Sequence, residues 1–290
     1  EYAYYLVSEA RQKCANHIFK LGGNVYAFDS TTIDLCLSVF WWAKFRKKKG
    51  GIKVHTLYDV ETQIPAFFHI TEASVHDSKV MIEIPYEPSS YYIFDRGYNN
   101  FKMLYKIHQI EAYFVVRAKK NLQYKSIKWK RRLPKNVFSD ASILLTGFYP
   151  KQYYPEPLRL VKYWDEEQER EFTFITNAMH ISALQVAELY KNRWQVELFF
   201  KWLKQHLKIK RFWGTTENAV RIQIYAAICA YCLVAIIQHD MQLNRSTYEV
   251  LQILSISLTD KTHLRDLFDK TKFQNDKERF GPNGPSLFNF

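Results

Sequence analysis

The chain has 290 residues, which is enough for one large domain or two small ones. Hydrophobic residues make up 47% and aromatic residues 17%, with only 9 Gly and 9 Pro, which excludes a disordered, collagenous or low-complexity chain. The 41 Lys and Arg outnumber the 29 Asp and Glu by twelve charges, so the expected partner is a polyanion, and nucleic acid fits better than an acidic metabolite.

The longest apolar run, residues 224–237, is shorter than the roughly 20 residues of a membrane-spanning helix. It predicts a buried core helix and no membrane association. Four cysteines in apolar surroundings favour a reducing cytoplasm over a disulfide framework. Cys229 and Cys232 form a CxxC pair, but without a second pair we favour two cysteines on a buried helix over a zinc site. The first residue is not Met, so the numbering is expected to start inside a longer protein.

The first part of the chain predicts a mixed α/β order. The predicted elements are a helix over 2–19, a three-strand meander over 25–33, 51–60 and 63–73, a strand over 91–98, a helix over 101–109 and a strand over 112–119.

After Lys119 the sequence becomes strongly basic and then strand-like, which predicts a β-rich insertion. Residues 119–135 hold eight Lys or Arg with Tyr124 and Trp129 among them, and their simplest interpretation is a solvated loop. Strands follow over 141–148, 157–165 and 170–177, and helices over 182–209 and 218–237. The expected organisation is an N-terminal helix (1–21), a first core part (22–118), the insertion (119–180), a second, helical core part (181–260) and a C-terminal tail (261–290). The tail is expected to be loosely ordered from Lys270 onward.

Two acids occupy equivalent places in the predicted sheet. Asp29 and Asp95 each follow an apolar run, so each carboxylate is expected at the carboxyl end of a buried strand, where open α/β sheets bind ligands. One such acid is more often a turn or cap residue, but a pair raises the odds of function.

A single helix over 187–210 would carry a third acid within a polar stripe. At about 100° per residue, an arc of roughly 80° collects five polar side chains: Tyr190, Arg193, Glu197, Lys201 and Lys204. Ion pairs at i,i+4 explain the charges of this stripe but not the tyrosine.

Three carboxylates on separate elements suit Mg²⁺, with Mn²⁺ as a substitute, because hard divalent cations prefer oxygen ligands. Two such ions about 3.5–4 Å apart can activate a water or a 3′-hydroxyl for in-line phosphoryl displacement. Basic residues would attract the phosphodiester. His55, His69 and His76 are expected to be core or surface histidines rather than ligands, and His76-Asp77 to begin a helix.

The ordered set of residues resembles the DDE transposases of bacterial insertion sequences that carry a Tyr-Arg-Glu-Lys signature, the group typified by insertion sequence four. The signature spacing is Tyr, two residues, Arg, three residues, Glu, six residues, Lys, which stands here as Tyr190, Arg193, Glu197 and Lys204. The strand sequences YAFDSTT and YIFDRGY match Asp29 and Asp95 to the first and second acids of the family. The resemblance covers roughly residues 2–240.

This resemblance implies a ribonuclease H-like mixed sheet flanked by helices and interrupted by a β-rich insertion. It also implies metal-dependent cleavage at insertion-sequence ends, strand transfer into double-stranded target DNA, and in related enzymes a hairpin intermediate. Tyr190, Arg193 and Lys204 would contact phosphates, with Lys201 added from the helical arc. The resemblance further implies a homodimer assembled on DNA and a nucleoid-associated location in the bacterial cytoplasm. Family members usually carry an N-terminal DNA-binding domain, so the chain is either a fragment or a shortened member.

Further candidates for DNA contact are aromatic and basic. A hairpin route needs an unstacked base, and Trp129 and Trp164 are candidates to stack on it, Trp129 first because it lies among basic residues. A surface or packing role competes for each. A second basic run follows Asp29 in the chain, and we favour contact with the DNA backbone over a solvated hairpin for its members: Lys44, Arg46, Lys47, Lys48, Lys49 and Lys53.

Two other functions remain open from the sequence. One is a ribonuclease H-like nuclease that does not join ends, and the other is an inactive relative that only binds DNA. The presence of all three acids and the whole signature favours the enzyme.

Overall fold

The computed structural model describes residues 1–15, 19–46, 49–206, 212–245, 247–257 and 261–270. Its strands are β1 (Val25–Leu35), β2 (Lys44–Arg46), β3 (Lys49–Asp59), β4 (Ile64–Glu72), β5 (Tyr91–Phe94), β6 (Tyr113–Arg117), β7 (Tyr124–Trp129), β8 (Val137–Leu145), β9 (Leu158–Asp165) and β10 (Arg170–Thr176). Its α-helices are α1 (Tyr2–Lys13), α2 (Phe101–Gln109), α3 (Phe148–Tyr153), α4 (Ala183–Lys191), α5 (Trp194–His206), α6 (Glu217–Asp240), α7 (Thr247–Ser257) and α8 (Leu264–Lys270). Short 3₁₀ helices cover Asp77–Glu83 and Arg96–Tyr98.

All ten of these strands form one mixed sheet. Its order is β2-β3-β1-β5-β6-β10-β9-β8-β7, and β4 pairs with β3. The meander β1-β3-β4 is antiparallel, whereas β5 runs parallel to both β1 and β6. An antiparallel meander continued by two parallel strands is the ribonuclease H-like arrangement that the resemblance implies, and helices flank it. The α/β fold class is therefore confirmed.

The insertion continues the main sheet. Strand β10 pairs antiparallel with β6, and β9, β8 and β7 follow in turn. The β-rich character of this segment is as predicted, but the solvated loop over 119–135 is wrong, because its residues Tyr124–Trp129 form β7. All six residues of that strand are exposed, since β7 is the outer edge of the sheet. Its Lys residues thus extend into solvent from a paired strand.

The single helix predicted over 187–210 is two helices. A capping box starts α4, in which Ser182 Oγ accepts the Gln185 N–H at 3.1 Å and Gln185 Oε1 accepts the Ser182 N–H at 2.8 Å. Helix α4 ends at Lys191, where Asn192 Nδ2 donates to Glu188 O at 2.9 Å and the Arg193 N–H bonds back to Tyr190 O at 3.0 Å. This tight turn separates Tyr190 on α4 from Glu197 on α5.

The chain divides into two compact units, residues 1–232 and 233–290. The first unit contains the whole sheet. The second has its own apolar cluster of Val234, Val250, Ile253 and Phe268. Helix α8 occupies Leu264–Lys270 at the start of the predicted C-terminal tail, and residues 271–290, on which the expectation of loose order falls, lie outside the described part.

Helix α6 is longer than the apolar run that predicts it. Its 24 residues are long and apolar enough to cross a membrane by length and composition alone, and such a helix is weak evidence for a membrane span. Ile224, Ile228 and Cys232 are fully buried. Tyr231 Oη lies 3.2 Å from Tyr58 Oη and donates to Gln63 O at 2.9 Å, so α6 packs on the meander within the first unit.

Candidate active site

The strand register brings Asp29 and Asp95 to one edge of the sheet. The parallel pairing of β1 with β5 ends at Phe28 opposite Phe94, so the next residue on each strand is an aspartate. Neighbouring strands are about 4.8 Å apart, which makes the two acids neighbours. Asp95 directly follows β5, as predicted. Asp29 lies inside β1. This strand continues to Leu35 because its antiparallel pairing with β3 extends beyond the end of its parallel pairing with β5.

These carboxylates face away from helix α2. Phe28 and Phe94 belong to the apolar cluster that includes Leu104 of α2. Successive residues of a strand point to opposite faces, so Asp29 and Asp95 point to the face on which α4 and α5 supply partners.

Tyr190, near the end of α4, and Arg193, in the turn that follows it, contact the two acids. Tyr190 Oη donates to Asp95 Oδ1 at 3.0 Å. Arg193 Nη1 donates to Asp29 Oδ2 at 2.8 Å, and its Nη2 donates to Glu197 Oε1 at 2.5 Å. The guanidinium also lies 5.8 Å from the centre of the Tyr190 ring. The structure therefore joins all three predicted acids, through Arg193 and Tyr190, in one network.

Burial dominates the electrostatics of this network. The pKa of Asp29 is raised to about 6: burial is the largest cause, and the charges of Glu197 and Asp95 act in the same direction, while the Arg193 charge and the Ser30 N–H that donates to Asp29 at 2.8 Å lower it. Burial alone would lower the pKa of Arg193, but the charges of Asp29, Tyr190 and Glu197 outweigh it and raise the pKa. Burial and the Asp95 carboxylate raise the pKa of Tyr190 to about 12. At neutral pH Arg193 is thus a cation that compensates two acids.

The donor chemistry of the site fits a hard divalent cation, because Asp29 and the two carboxylates within its electrostatic reach, those of Asp95 and Glu197, lie on separate elements. Among the described residues, however, no three His, Cys, Asp or Glu side chains stand close enough together to hold a metal as they are. The guanidinium of Arg193 lies between Asp29 and Glu197, where a cation would bind. Metal ligation by all three acids thus requires Arg193 to release at least one of them.

The structure describes only some of the lysines predicted to contact DNA. On α5, Lys201 is exposed and Lys204 is half-buried, one and two turns beyond Glu197. Lys49 is the first residue of β3, and Lys47 and Lys48 lie outside the described residues. Lys53 is not available as a free cation for DNA, because its Nζ bonds Asp77 at 3.1 Å and Val75 O at 2.8 Å.

A second polar network adjoins Asp29, and sequence reasoning misses it. Ser30 Oγ donates to Asp77 Oδ1 at 2.8 Å, which lies 3.9 Å from Nδ1 of the fully buried His55. Burial lowers the pKa of His55 to about 4, so the ring is neutral at neutral pH. His76 caps the 3₁₀ helix that begins at Asp77, which confirms the predicted helix start. This network ties β1, β3 and the 3₁₀ helix together behind the acid.

The two candidate tryptophans lie on the insertion strands. Trp129 is 64% exposed at the end of β7, about 24 Å across the sheet from β5. Trp164 on β9 is half-buried, with its ring 6.3 Å from that of Phe138. Base stacking by either ring stays a prediction.

Sequence reasoning also misses a basic group beside Asp95. Val116 of β6 pairs with Phe94, so Arg117 stands level with Asp95 on the next parallel strand. Phe172 of β10 lies beneath two guanidinium groups, 4.9 Å from that of Arg117 and 4.4 Å from that of Arg170. The available signal is the position of Arg117 at the end of a parallel strand, the same signal that identifies Asp95.

Comparisons with known proteins agree on one family. Residues 20–233 match the family described as the transposase DDE domain. A protein of Sinorhizobium fredii named as a transposase is 36% identical over 246 residues, covering 82% of this chain and 67% of that protein. An insertion-sequence transposase of Geobacillus stearothermophilus is 31% identical over 205 residues, 71% of this chain and 54% of that protein. The chain thus spans between 54% and 67% of the length of these relatives.

A solved structure, the piggyBac transposase in a synaptic complex with hairpin DNA, covers 90% of this chain and 58% of its own chain. Its sequence identity is 12% and its TM-score 0.49.

Proposed function

Because the chain belongs to the family of DDE-domain transposases, we propose that Asp29, Asp95 and Glu197 are its catalytic carboxylates. With them it cleaves DNA at the ends of an insertion sequence and joins the freed 3′-hydroxyl to target DNA. The observation that carries this proposal is the junction of all three acids through Arg193 and Tyr190 at one sheet edge.

Each residue of the site has a role that follows from its contacts. Asp29, Asp95 and Glu197 would hold divalent cations, which supply Lewis acidity and activate a water or 3′-hydroxyl when bound. Tyr190 fixes the Asp95 carboxylate by hydrogen bonding to one of its oxygens, which leaves the other oxygen open. Arg193 compensates the repulsion between Asp29 and Glu197 until DNA and metal are present, and its guanidinium can then bind a phosphate. Lys201 and Lys204 extend that phosphate contact along α5.

Divalent-metal dependence belongs to the family, and we propose Mg²⁺ as the physiological ion because the donors are carboxylate oxygens. The substrate is double-stranded DNA, both as element ends and as target. We further propose a homodimer assembled on DNA and a nucleoid-associated place in the bacterial cytoplasm, in keeping with a net charge of +12.

The test is cleavage of a duplex that carries the ends of the insertion sequence encoding the chain, with Mg²⁺ or Mn²⁺. Glu197→Gln and Asp95→Asn should each reduce cleavage by at least about 100-fold, because each removes a charged oxygen that would hold the divalent cations. Glu188→Gln is the matched control, since Glu188 is an exposed acid on α4. Unchanged cleavage by Glu197→Gln would exclude the proposed site.

The two other functions are distinguished in the same reaction. A labelled 3′-hydroxyl end recovered in a target plasmid identifies strand transfer, whereas cleavage without joining identifies a nuclease. DNA binding that is equal with and without metal, and no cleavage, identifies an inactive relative.

A further inference from the structure

A cationic surface beside Asp95 has no role in the reaction described above. It consists of Arg117 at the end of β6, Phe172 and Arg170 on β10, and is called the arginine platform below. The Phe172 ring is 3% exposed and carries both guanidinium groups, at 4.9 and 4.4 Å from its centre. Such cation–π contacts hold the planes of long, mobile side chains in place. The two charges are therefore preorganised.

Neither arginine of the platform forms an ion pair with a described residue. No carboxylate lies within 4.0 Å of Arg117 or Arg170 in the part of the chain that the structure describes. The cross-strand neighbour of Arg170 is Asp165, whose carboxylate instead accepts the N–H groups of the β9–β10 turn at 3.0 Å. Arg170 donates to the uncharged Gln168. Arg96 adds a third positive charge within reach of Arg117.

Arg117 is the more buried of the two arginines of the platform. Burial, together with the charges of Arg96 and Arg170, lowers the pKa of Arg117 from its ordinary value, although Tyr190 and the Asp95 carboxylate act in the opposite direction. Cations that are held close together without an ion-paired acid are typical of anion-binding surfaces.

The platform adjoins the proposed catalytic acids on the same face of the sheet. Arg117 is level with Asp95 on the neighbouring parallel strand. The Tyr190 ring packs on Phe172 at 5.7 Å and on Phe174 at 4.6 Å, while its hydroxyl bonds Asp95. Tyr190 thus connects the arginine platform to Asp95.

We propose that the arginine platform binds backbone phosphates of the DNA strand that crosses Asp95. Arg117 and Arg170 each contact one phosphate, and Phe172 holds both guanidinium groups in position. This inference rests on the proposed function for its substrate, duplex DNA, and adds two phosphate-binding residues outside the Tyr-Arg-Glu-Lys signature. Arg presents paired N–H donors to a phosphate in a fixed plane, which Lys does not.

The experiment measures binding of the whole chain to a fluorescent duplex of about 25 base pairs, without metal, across a range of salt concentrations. Each phosphate contact contributes about 0.9 to the slope of log K against log salt, so Arg117→Gln/Arg170→Gln should lower the slope by about 2. The control Lys102→Gln/Lys106→Gln removes the same charge from exposed residues of α2, which packs on the opposite face. The charge-keeping Arg117→Lys/Arg170→Lys should recover the slope.

Three results separate the possibilities. A slope loss of about 2 in the Gln variant, less than 1 in the control and recovery in the Lys variant support the platform. An unchanged slope in the Gln variant, with wild-type binding and cleavage intact, overturns the platform and leaves the proposed function standing. No binding of DNA by the wild-type chain at any salt concentration overturns both. Thermal unfolding of each variant shows whether it is folded in the assay.

Discussion

Arg193 should stabilise the metal-free protein mainly through Asp29. Replacing it with Gln removes the one cation that bonds both Asp29 Oδ2 at 2.8 Å and Glu197 Oε1 at 2.5 Å. The two acids then repel each other with no cation between them. The arginine and Asp29 side chains are only 17% and 21% exposed, whereas that of Glu197 is 55% exposed. Solvent therefore screens the Glu197 pair far more than the Asp29 pair.

These exposures determine the expected magnitude. Two unit charges about 4 Å apart interact by about 4 kcal/mol at an effective dielectric constant of about 20. The cost of desolvating Arg193 and Asp29 offsets part of this, so about 2–3 kcal/mol remains. The exposed i,i+4 pair with Glu197 adds about 0.5 kcal/mol. Arg193→Gln should thus lower the free energy of unfolding by about 3 kcal/mol, and Glu197→Gln by less than about 1 kcal/mol.

Urea unfolding in EDTA, followed by circular dichroism, measures these differences. The control Arg221→Gln removes an exposed i,i+4 pair with Glu217 on α6, and it should change stability by about 0.5 kcal/mol or less. A double-mutant cycle with Asp29→Asn should give a coupling energy of about 2 kcal/mol between Arg193 and Asp29. Saturating Mn²⁺ should restore part of the loss in Arg193→Gln, since a bound cation again compensates the acids.

Two results would refute this reasoning. Arg193→Gln could prove as stable as the wild type in EDTA, or its effect could be the same whether residue 29 is Asp or Asn. In either case Arg193 does not hold Asp29, and the network that joins the three acids is wrong.

Three further perturbations test other parts of the structure. Burial lowers the pKa of His55 to about 4, so only the unfolded chain binds a proton as the pH falls from 6.5 towards 4. The contribution of His55 to stability should therefore drop by about 2 kcal/mol between pH 7 and pH 5, and the difference between urea titrations of the wild type and His55→Gln measures it. Arg159→Met should lower the free energy of unfolding by about 3 kcal/mol, because it removes two bonds of 2.7 and 2.8 Å from the buried Asp140 and leaves it paired with the exposed Lys130 at 3.0 Å; chemical denaturation measures this. Tyr190→Phe keeps the ring packing but loses the bond to Asp95, so cleavage should slow about tenfold at a stability loss of about 1 kcal/mol, which initial rates and urea unfolding report.

Local sequence pattern predicts the elements of the core well, because each depends on contacts that the pattern encodes. The helix predicted over 101–109 matches α2, and the predicted meander strands overlap β1, β3 and β4. The turn between β3 and β4 forms because Asp59 Oδ1 accepts the N–H groups of Glu61 and Thr62 at 3.0 and 3.1 Å. Short polar turn residues bond their own backbone, so such turns are local in origin.

Predictions that depend on distant contacts are less complete. The helical period continues unbroken through residues 187–206, so nothing local indicates the turn at Asn192 and Arg193 that separates α4 from α5. Likewise, Lys53 is one cation of a basic run in the sequence, but its partner Asp77 lies on another element. The basic stretch after Lys119 contains a strand because β8 pairs with it, which charge pattern alone does not show.

By itself the sequence determined the fold class and the β-rich insertion and singled out the three acids as candidates, since strand alternation, apolar runs and signature spacing are properties of neighbouring residues. Only the tertiary structure decided that Arg193 lies between Asp29 and Glu197, and that Tyr190 joins Asp95 to the arginine platform. The bonds from Tyr190 to Asp95 and from Arg193 to Asp29 link residues more than ninety positions apart. Their geometry depends on strand register and on where a helix breaks, and both are settled by packing across the whole sheet.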